Sequence, residues 1–203
     1  MTTSIPNVFE LPPSAAHLRE HAVQSKAIAS GEFLKLVRDD VRLPNGLHAT
    51  RDYVLHPGAV MVVALLDDGR VLLERQYRHP VGHALLELPA GKLNAGEGVV
   101  ACAARELREE TGCSAAHWAV AARLHPCIGY SNEVIHIVFA KGVVQGLQSL
   151  DPGELLDVCA ATPEQLMVMV ADGRITDGKT LSGLLWLQNV LSGAWSLDWT
   201  SAP

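Results

Sequence analysis

Positive charge is scarce in this chain. Its 203 residues hold 16 Lys and Arg against 22 Asp and Glu, a formal net charge of −6. A basic nucleic-acid-binding face is therefore not expected. An anionic small molecule would need a local source of positive charge, and a divalent cation is one. Cysteines are few, at Cys102, Cys113, Cys127 and Cys159, and no two have CxxC spacing. That argues against zinc or a disulfide framework and for free, buried thiols in a reducing compartment. No uncharged apolar run approaches the roughly 18 residues of a membrane span. The opening MTTSIPNVFELPPSAA lacks a basic stretch followed by an apolar one, so no signal peptide is expected. These absences predict a cytoplasmic protein with neither membrane nor nucleic acid as partner. With 48% apolar and 19% charged residues, the composition excludes global disorder. The length suits one domain with an appendage, or two small units.

Residues 1–16, with Pro6, Pro12 and Pro13, read as a loose arm. From about Ala22 to His56 the pattern is strand-like, through Phe33, Leu34, Leu36, Val37 and Val41. Asn45-Gly46 between two such runs predicts a two-residue hairpin. A boundary is placed at His56-Pro57-Gly58. It divides the chain into an N-terminal arm and sheet region (1–57), a main domain (58–195) and a C-terminal tail (196–203). The wholly apolar run 59–66 predicts a central strand, forming a second hairpin with 70–78 across Asp67-Asp68-Gly69. Residues 84–92 predict a strand ending in a Pro-Ala-Gly turn. Val99, Ala103 and Leu107, with Val100 and Ala104, predict a helix over 98–111 that stops at Gly112. Strands are expected near 117–124, 134–143 and in LLDVCAA, with a polar loop over 145–154. Thr162, Pro163 and Gln165 open a helix through a capping box, and that helix stops at Gly173. A last helix spans about 178–191. Mixed strands with inserted helices predict an α/β or α+β sandwich in which helices cover a mixed sheet. A small antiparallel sheet precedes it.

One segment carries chemistry. Glu106 and Glu110 lie four apart on one helix face, and Glu109 is three from Glu106. Like charges at this spacing repel, and a helix C-terminus disfavours anions. Two local rules are broken at once, as happens at functional sites. A hard cation such as Mg²⁺ relieves both penalties, because it takes oxygen ligands and bridges carboxylates to phosphates. The plainer reading is a solvated acidic helix end partnered by Arg105 and Arg108. The turn Pro89-Ala90-Gly91 and the loop Gly96-Glu97-Gly98 shift the balance, since strand, loop and helix converge on one point.

The 23 residues from Gly91 to Cys113 resemble the signature of the Nudix hydrolase family. Its fixed positions are met by Gly91, Glu97, Arg105, Glu106, Leu107, Glu109, Glu110, Gly112 and Cys113. The resemblance implies an α/β/α sandwich that uses Mg²⁺ or Mn²⁺ to hydrolyse a nucleoside diphosphate linked to another moiety. It implies Glu106 and Glu110 as metal ligands, with Glu109 a third. Glu97 is implied either as a ligand of a further metal or as the residue orienting Arg105. The Ala90 carbonyl is implied to complete the shell, and Arg105 to be a structural partner of the loop carboxylates.

Outside the signature, residues 73–78, 86–91 and 129–133, with Gly31-Glu32-Phe33-Leu34, resemble the ADP-ribose pyrophosphatase branch. That branch implies N-terminal sheets exchanged in a homodimer whose two subunits line the nucleotide pocket. Its substrate would be a nucleoside diphosphate sugar. ADP-ribose, giving AMP and ribose 5-phosphate, is the leading expectation. A GDP-sugar or NADH is the alternative, and a non-catalytic nucleotide-sensing module the third reading. Arg78 is a candidate phosphate clamp, with a surface arginine as the alternative. Arg51 is a second substrate-binding candidate, with an ion pair to Asp52 or its neighbours as its alternative. Phe33 stacks on adenine or fills core. Glu87, an acid between Leu86 and Leu88, faces solvent or meets a ligand or an arginine. For the general base, Glu154 comes first, Glu133 second and Glu109 third. His125 and His136 read as packed or surface residues. The chain departs from the branch at Pro152-Gly153, where acids are usual, and at Cys127-Ile128-Gly129, where a proline usually precedes the glycine.

Overall fold

The structure is a computed structural model that describes residues 7–10, 12–31 and 33–201. Glu32, part of the N-terminal stretch quoted above, and most of the first half of the predicted arm up to Pro6 lie outside them. The chain forms two units, one of residues 1–56 with 129–132, the other of 57–128 with 133–203.

The first unit is an antiparallel sheet of β1 (His21–Ser30), β2 (Lys35–Arg42) and β3 (His48–Leu55), in that order. The β2–β3 connection is not the expected two-residue turn. The Leu43 amide bonds the Leu47 carbonyl and the Gly46 amide bonds the Leu43 carbonyl. Only Gly46 has a positive φ, +84°. A two-residue Asn-Gly turn needs positive φ at Asn45 too. Pro44 instead sets up an ordinary turn, followed by Gly46 as a left-handed bulge residue.

In the second unit a five-stranded mixed sheet has the order β11 (Thr200–Ser201), β8 (Cys113–Leu124), β9 (Ile135–Gln145), β4 (Ala59–Ala64), β7 (Ala90–Lys92). β4 runs parallel to β9 and antiparallel to β7. A three-stranded antiparallel sheet has the order β10 (Leu156–Ala161), β5 (Val71–Arg78), β6 (His83–Glu87). The expected 59–78 hairpin therefore survives only at its mouth, as a Leu65–Val71 bridge. Beyond it the strands part into different sheets, because each buries apolar residues on both faces and needs two flanking partners. The single strand predicted over 84–92 likewise divides. β6 pairs with β5, the chain crosses at Leu88-Pro89, and β7 joins β4. Ala90 and Gly91 are thus strand, not turn.

The central strand β4 is buried at every position. Met61 and Val63 face one core with Leu88, Phe139, Leu184 and Leu187, under α3 (Gly178–Leu191). Val60 and Val62 face the other, with Cys102, Ala103, Leu107 and Trp118, under α1 (Val99–Thr111). This alternation gives the α/β/α layering that was expected. α2 (Pro163–Ala171) opens with the predicted Thr162–Gln165 capping box and packs on α3. All four cysteines are free, but only Cys102 and Cys113 are buried. Cys127 is half-buried and Cys159 exposed, since β10 is an edge strand with an open face.

Candidate active site

The register of β7 on β4 decides where its backbone groups point. The Val62 amide bonds the Pro89 carbonyl and the Leu93 amide bonds the Gly58 carbonyl. Antiparallel ladders alternate bonded and non-bonded pairs. Ala90 and Lys92 are therefore non-bonded positions, whose N–H and C=O face away from β4. The Ala90 amide donates to Glu110 Oε2 at 3.0 Å. The Lys92 carbonyl accepts from Arg105 Nη2 at 3.0 Å. The C-terminal half of α1 is thus docked on the outer edge of β7, with the Ala90 carbonyl on the side that meets Glu110. A Cβ built on Gly91 would lie 1.8 Å from the Glu106 carboxyl carbon, so a glycine here is what lets Glu106 lie over the strand.

Arg105 organises the remaining acids. It donates to both oxygens of Glu97 at 2.8 Å, to Glu106 at 2.7 Å and to Glu109 at 3.1 Å. The Arg105 guanidinium holds the Glu97 carboxyl down to about 2. Of the two roles open to Glu97, orienting Arg105 is the one this geometry displays. Burial pushes Glu106 upward, against the opposing pull of Arg105. Glu110 is buried, and burial, with the charges of Glu74 and Glu106, raises it to about 9.

The loop after β9 closes the helix end. Gly112 ends α1 at φ +73°, where a Cβ would meet the Gln148 backbone at 2.7 Å. The loop returns hydrogen bonds to α1's last carbonyls. The Gly146 amide bonds Gly112, the Ser149 amide bonds Glu109, and the Gln148 side chain bonds Glu110. Terminal carbonyls that would otherwise lack partners are satisfied this way. The same loop brings Glu154 close enough that its charge raises both Glu106 and Glu110. Glu133 lies half-buried just before β9.

The structure joins Arg78 and Glu87 to each other. Arg78 donates to both Glu87 oxygens, at 2.7 and 2.8 Å, and Lys179 at the start of α3 bonds the same carboxylate. Burial alone would raise Glu87, but Arg78 and Lys179 outweigh it and hold its carboxyl below the usual range. Arg51 pairs with Glu20, not with Asp52, which is taken by Arg38. In the antiparallel β2–β3 pair Arg38 stands directly opposite Asp52. Phe33 makes an edge contact with His56, with ring centroids 6.1 Å apart, and is 48% exposed; it is not core. His136 is lowered by burial and by Arg123, its partner across β8 and β9.

Sequence reasoning passed over three residues: Lys179, Gln148 and Glu74. Glu74 is wholly buried in β5. Its signal was an acid inside VLLERQYR, on the face shared by Leu72, Gln76 and Arg78. An open recess of about 420 Å³, lined by Arg75, Tyr77 and Asp157 among others, lies on the other face of β5 and holds none of the signature acids.

Among the described residues no three acids, histidines or cysteines already converge as a metal cage. Arg105 supplies the positive charge that Glu106 and Glu109 gather around. The donor set nevertheless suits a hard cation. Glu110, Glu106 and an outward Ala90 carbonyl are all oxygen donors, and both oxygens of the buried Glu74 have no hydrogen-bond partner. Mg²⁺ ordinarily takes one or two carboxylates with waters and substrate phosphates, not a complete protein cage.

A family model described as the NUDIX domain matches residues 55–183. The chain belongs to the Nudix family. It is 37% identical over 173 residues to the methanol dehydrogenase activator of Bacillus methanolicus, covering 83% of this chain and 92% of that one. It is 35% identical to the ADP-ribose pyrophosphatase of Bacillus subtilis (strain 168), covering 84% and 94%. A crystal structure of an ADP compounds hydrolase has the same fold, with a TM-score of 0.77 at 23% identity, covering 87% of this chain and 97% of that one. Nudix hydrolases generally use divalent metal ions. Among the described residues no helix is long and apolar enough to cross a membrane.

Proposed function

We propose that this Nudix chain hydrolyses the diphosphate of an ADP-sugar, and that ADP-ribose is the substrate, giving AMP and ribose 5-phosphate. The observation that carries the reading is the docking of Glu106 and Glu110 on the outward edge of β7 beside Ala90. The similarity to proteins named ADP-ribose pyrophosphatase, along five-sixths of the chain in one case, supports the substrate.

Glu106, Glu110 and the Ala90 carbonyl would hold Mg²⁺ or Mn²⁺, with Glu109 adjoining and Glu97 reserved for Arg105. A bound divalent ion neutralises phosphoryl oxygens and lowers the pKa of a coordinated water. Glu154 is the general base by its nearness to Glu106 and Glu110, ahead of Glu133 and Glu109. Arg78 takes a phosphate oxygen when it leaves Glu87, and Lys179 remains to neutralise that buried carboxylate. Arg51 and Phe33 are assigned to the substrate on the branch resemblance alone.

The protein is further proposed to be a cytoplasmic homodimer that binds no nucleic acid. The net charge of −6 supports the last point. Three strands bury little by themselves, and every residue of β1 is exposed, Val23 and Ile28 included. The N-terminal sheet is therefore assigned to dimerisation.

The test is hydrolysis of ADP-ribose, GDP-mannose, NADH and nucleoside triphosphates with Mg²⁺, reading phosphate after phosphatase treatment. ADP-ribose should be turned over with the highest kcat/KM. Preference for GDP-mannose or NADH would replace the substrate. No turnover of any of them would leave a nucleotide-sensing module.

A further inference from the structure

Glu74 has no place in the reaction described above, and its setting is costly. It is 0% exposed, and neither carboxylate oxygen has a hydrogen-bond partner. Arg78 comes only to 3.9 Å, with its fork committed to Glu87. On the next strand Glu87 stands directly opposite Glu74. An uncompensated buried carboxylate is among the most destabilising features a core can hold.

The register of β5 shows where this carboxylate points. Leu72 packs in the core under α1 with Cys102, Ala103 and Leu107. Side chains alternate along a strand, so Glu74 and Gln76 also face α1. Glu110 is the next buried residue along that side of the helix after Leu107. The two carboxyl groups lie close enough that the charge of Glu74 raises Glu110. Gln76 Oε1, on the same face of β5, also has no donor. Oxygens without hydrogen-bond donors thus gather on this face of β5, where a cation or a shared proton can stand in.

We propose that Glu74 is a divalent-cation ligand outside the signature, forming with Glu110 a buried two-carboxylate grip beneath the end of α1. It extends the metal assignment made above and rests on that assignment. Two carboxylates, with waters and phosphate filling the other positions, is a coordination habit of Mg²⁺. It also accounts for the lack of a preformed three-residue cage. Arg105 already hydrogen-bonds Glu106 and Glu109, whereas no guanidinium hydrogen-bonds Glu74 or Glu110.

The experiment titrates Mn²⁺ alone into the metal-stripped full-length protein without substrate, reading free Mn²⁺ by electron paramagnetic resonance. Wild type is compared with Glu74→Gln, which keeps shape and polarity without the charge, and Glu74→Leu, which keeps only bulk. Circular dichroism establishes which variants are folded. The Kd for Mn²⁺ should weaken about tenfold in each folded variant, the scale expected when a group supporting a metal site is lost. A change of less than fivefold in a folded variant overturns the proposal and leaves a shared proton, or the charge of Arg78, as what Glu74 serves. ADP-ribose turnover by wild type is measured alongside. An inactive wild type whose Mn²⁺ affinity depends on Glu74 would remove the substrate assignment and leave this one standing.

Discussion

Glu110 carries opposite demands. It is buried, repelled by Glu74 and Glu106, and held by one amide, that of Ala90. Replacing it by Gln keeps the acceptor for that amide and removes the buried charge. The expected outcome for Glu110→Gln is a thermal midpoint no lower than wild type without metal, and ADP-ribose turnover reduced at least about a hundredfold. The second figure follows from several kcal/mol of phosphoryl polarisation. Turnover near wild type would take Glu110 out of the metal shell. Arg105 shows how far residue types could be read in advance. Its partnership with the loop acids was implied by the signature resemblance and its pairing with the helix-end acids was the plainer reading of the residues, and the structure shows both at once. Lys179 was not legible, because nothing local in DGKTL announces that its ammonium will meet Glu87 across 92 residues.

Two glycines separate the site's chemistry from the stability of its elements. In Gly91→Ala the new Cβ collides with the far end of the Glu106 side chain, which can swing away. We expect a midpoint within about 2 °C of wild type, from less than about 1 kcal/mol, with turnover reduced at least tenfold as the carboxylate leaves its place. In Gly112→Ala the Cβ meets backbone of the 146–148 loop, and the residue must hold φ +73°. A left-handed non-glycine costs roughly 1–2 kcal/mol, so the midpoint should fall by at least about 4 °C. Thermal melts and initial rates on both variants check the contrast. At this scale the helices were legible because their caps are local: Thr162 to Gln165 at one start, Gly112 at one stop. The strands were found but misassigned to sheets. A fully apolar run such as 59–64 shows that it is central without showing its neighbours. The pairing of β4 with β9, some 75 residues away in sequence, comes from packing and not from turn chemistry.

For the molecule as a whole, the acid cluster should show in the pH dependence of stability. Glu110 is raised to about 9 and Glu74 to about 7, both above the ordinary carboxylate value that they regain on unfolding. A carboxyl raised by folding binds its proton more tightly in the folded state. Its contribution is complete below the unfolded value and is lost as pH rises through the folded one. Metal-free protein should therefore melt lower at pH 9 than at pH 7, Glu110→Gln should flatten that slope, and saturating Mg²⁺ should raise the midpoint most at the alkaline end. Differential scanning calorimetry with EDTA and with Mg²⁺ reads all three. The assignment of the N-terminal sheet is checked separately by light scattering. A dimer is expected at micromolar concentration, and a monomer would contradict it. If the crowded acids at the tail of α1 hold divalent cations, anomalous diffraction from crystals soaked in Mn²⁺ will locate the ion. An anomalous peak in contact with the carboxylates of Glu110 and Glu106 is expected. Crystals soaked at saturating Mn²⁺ that show those side chains turned to solvent or to Arg105 alone, with no peak beside them, would contradict it.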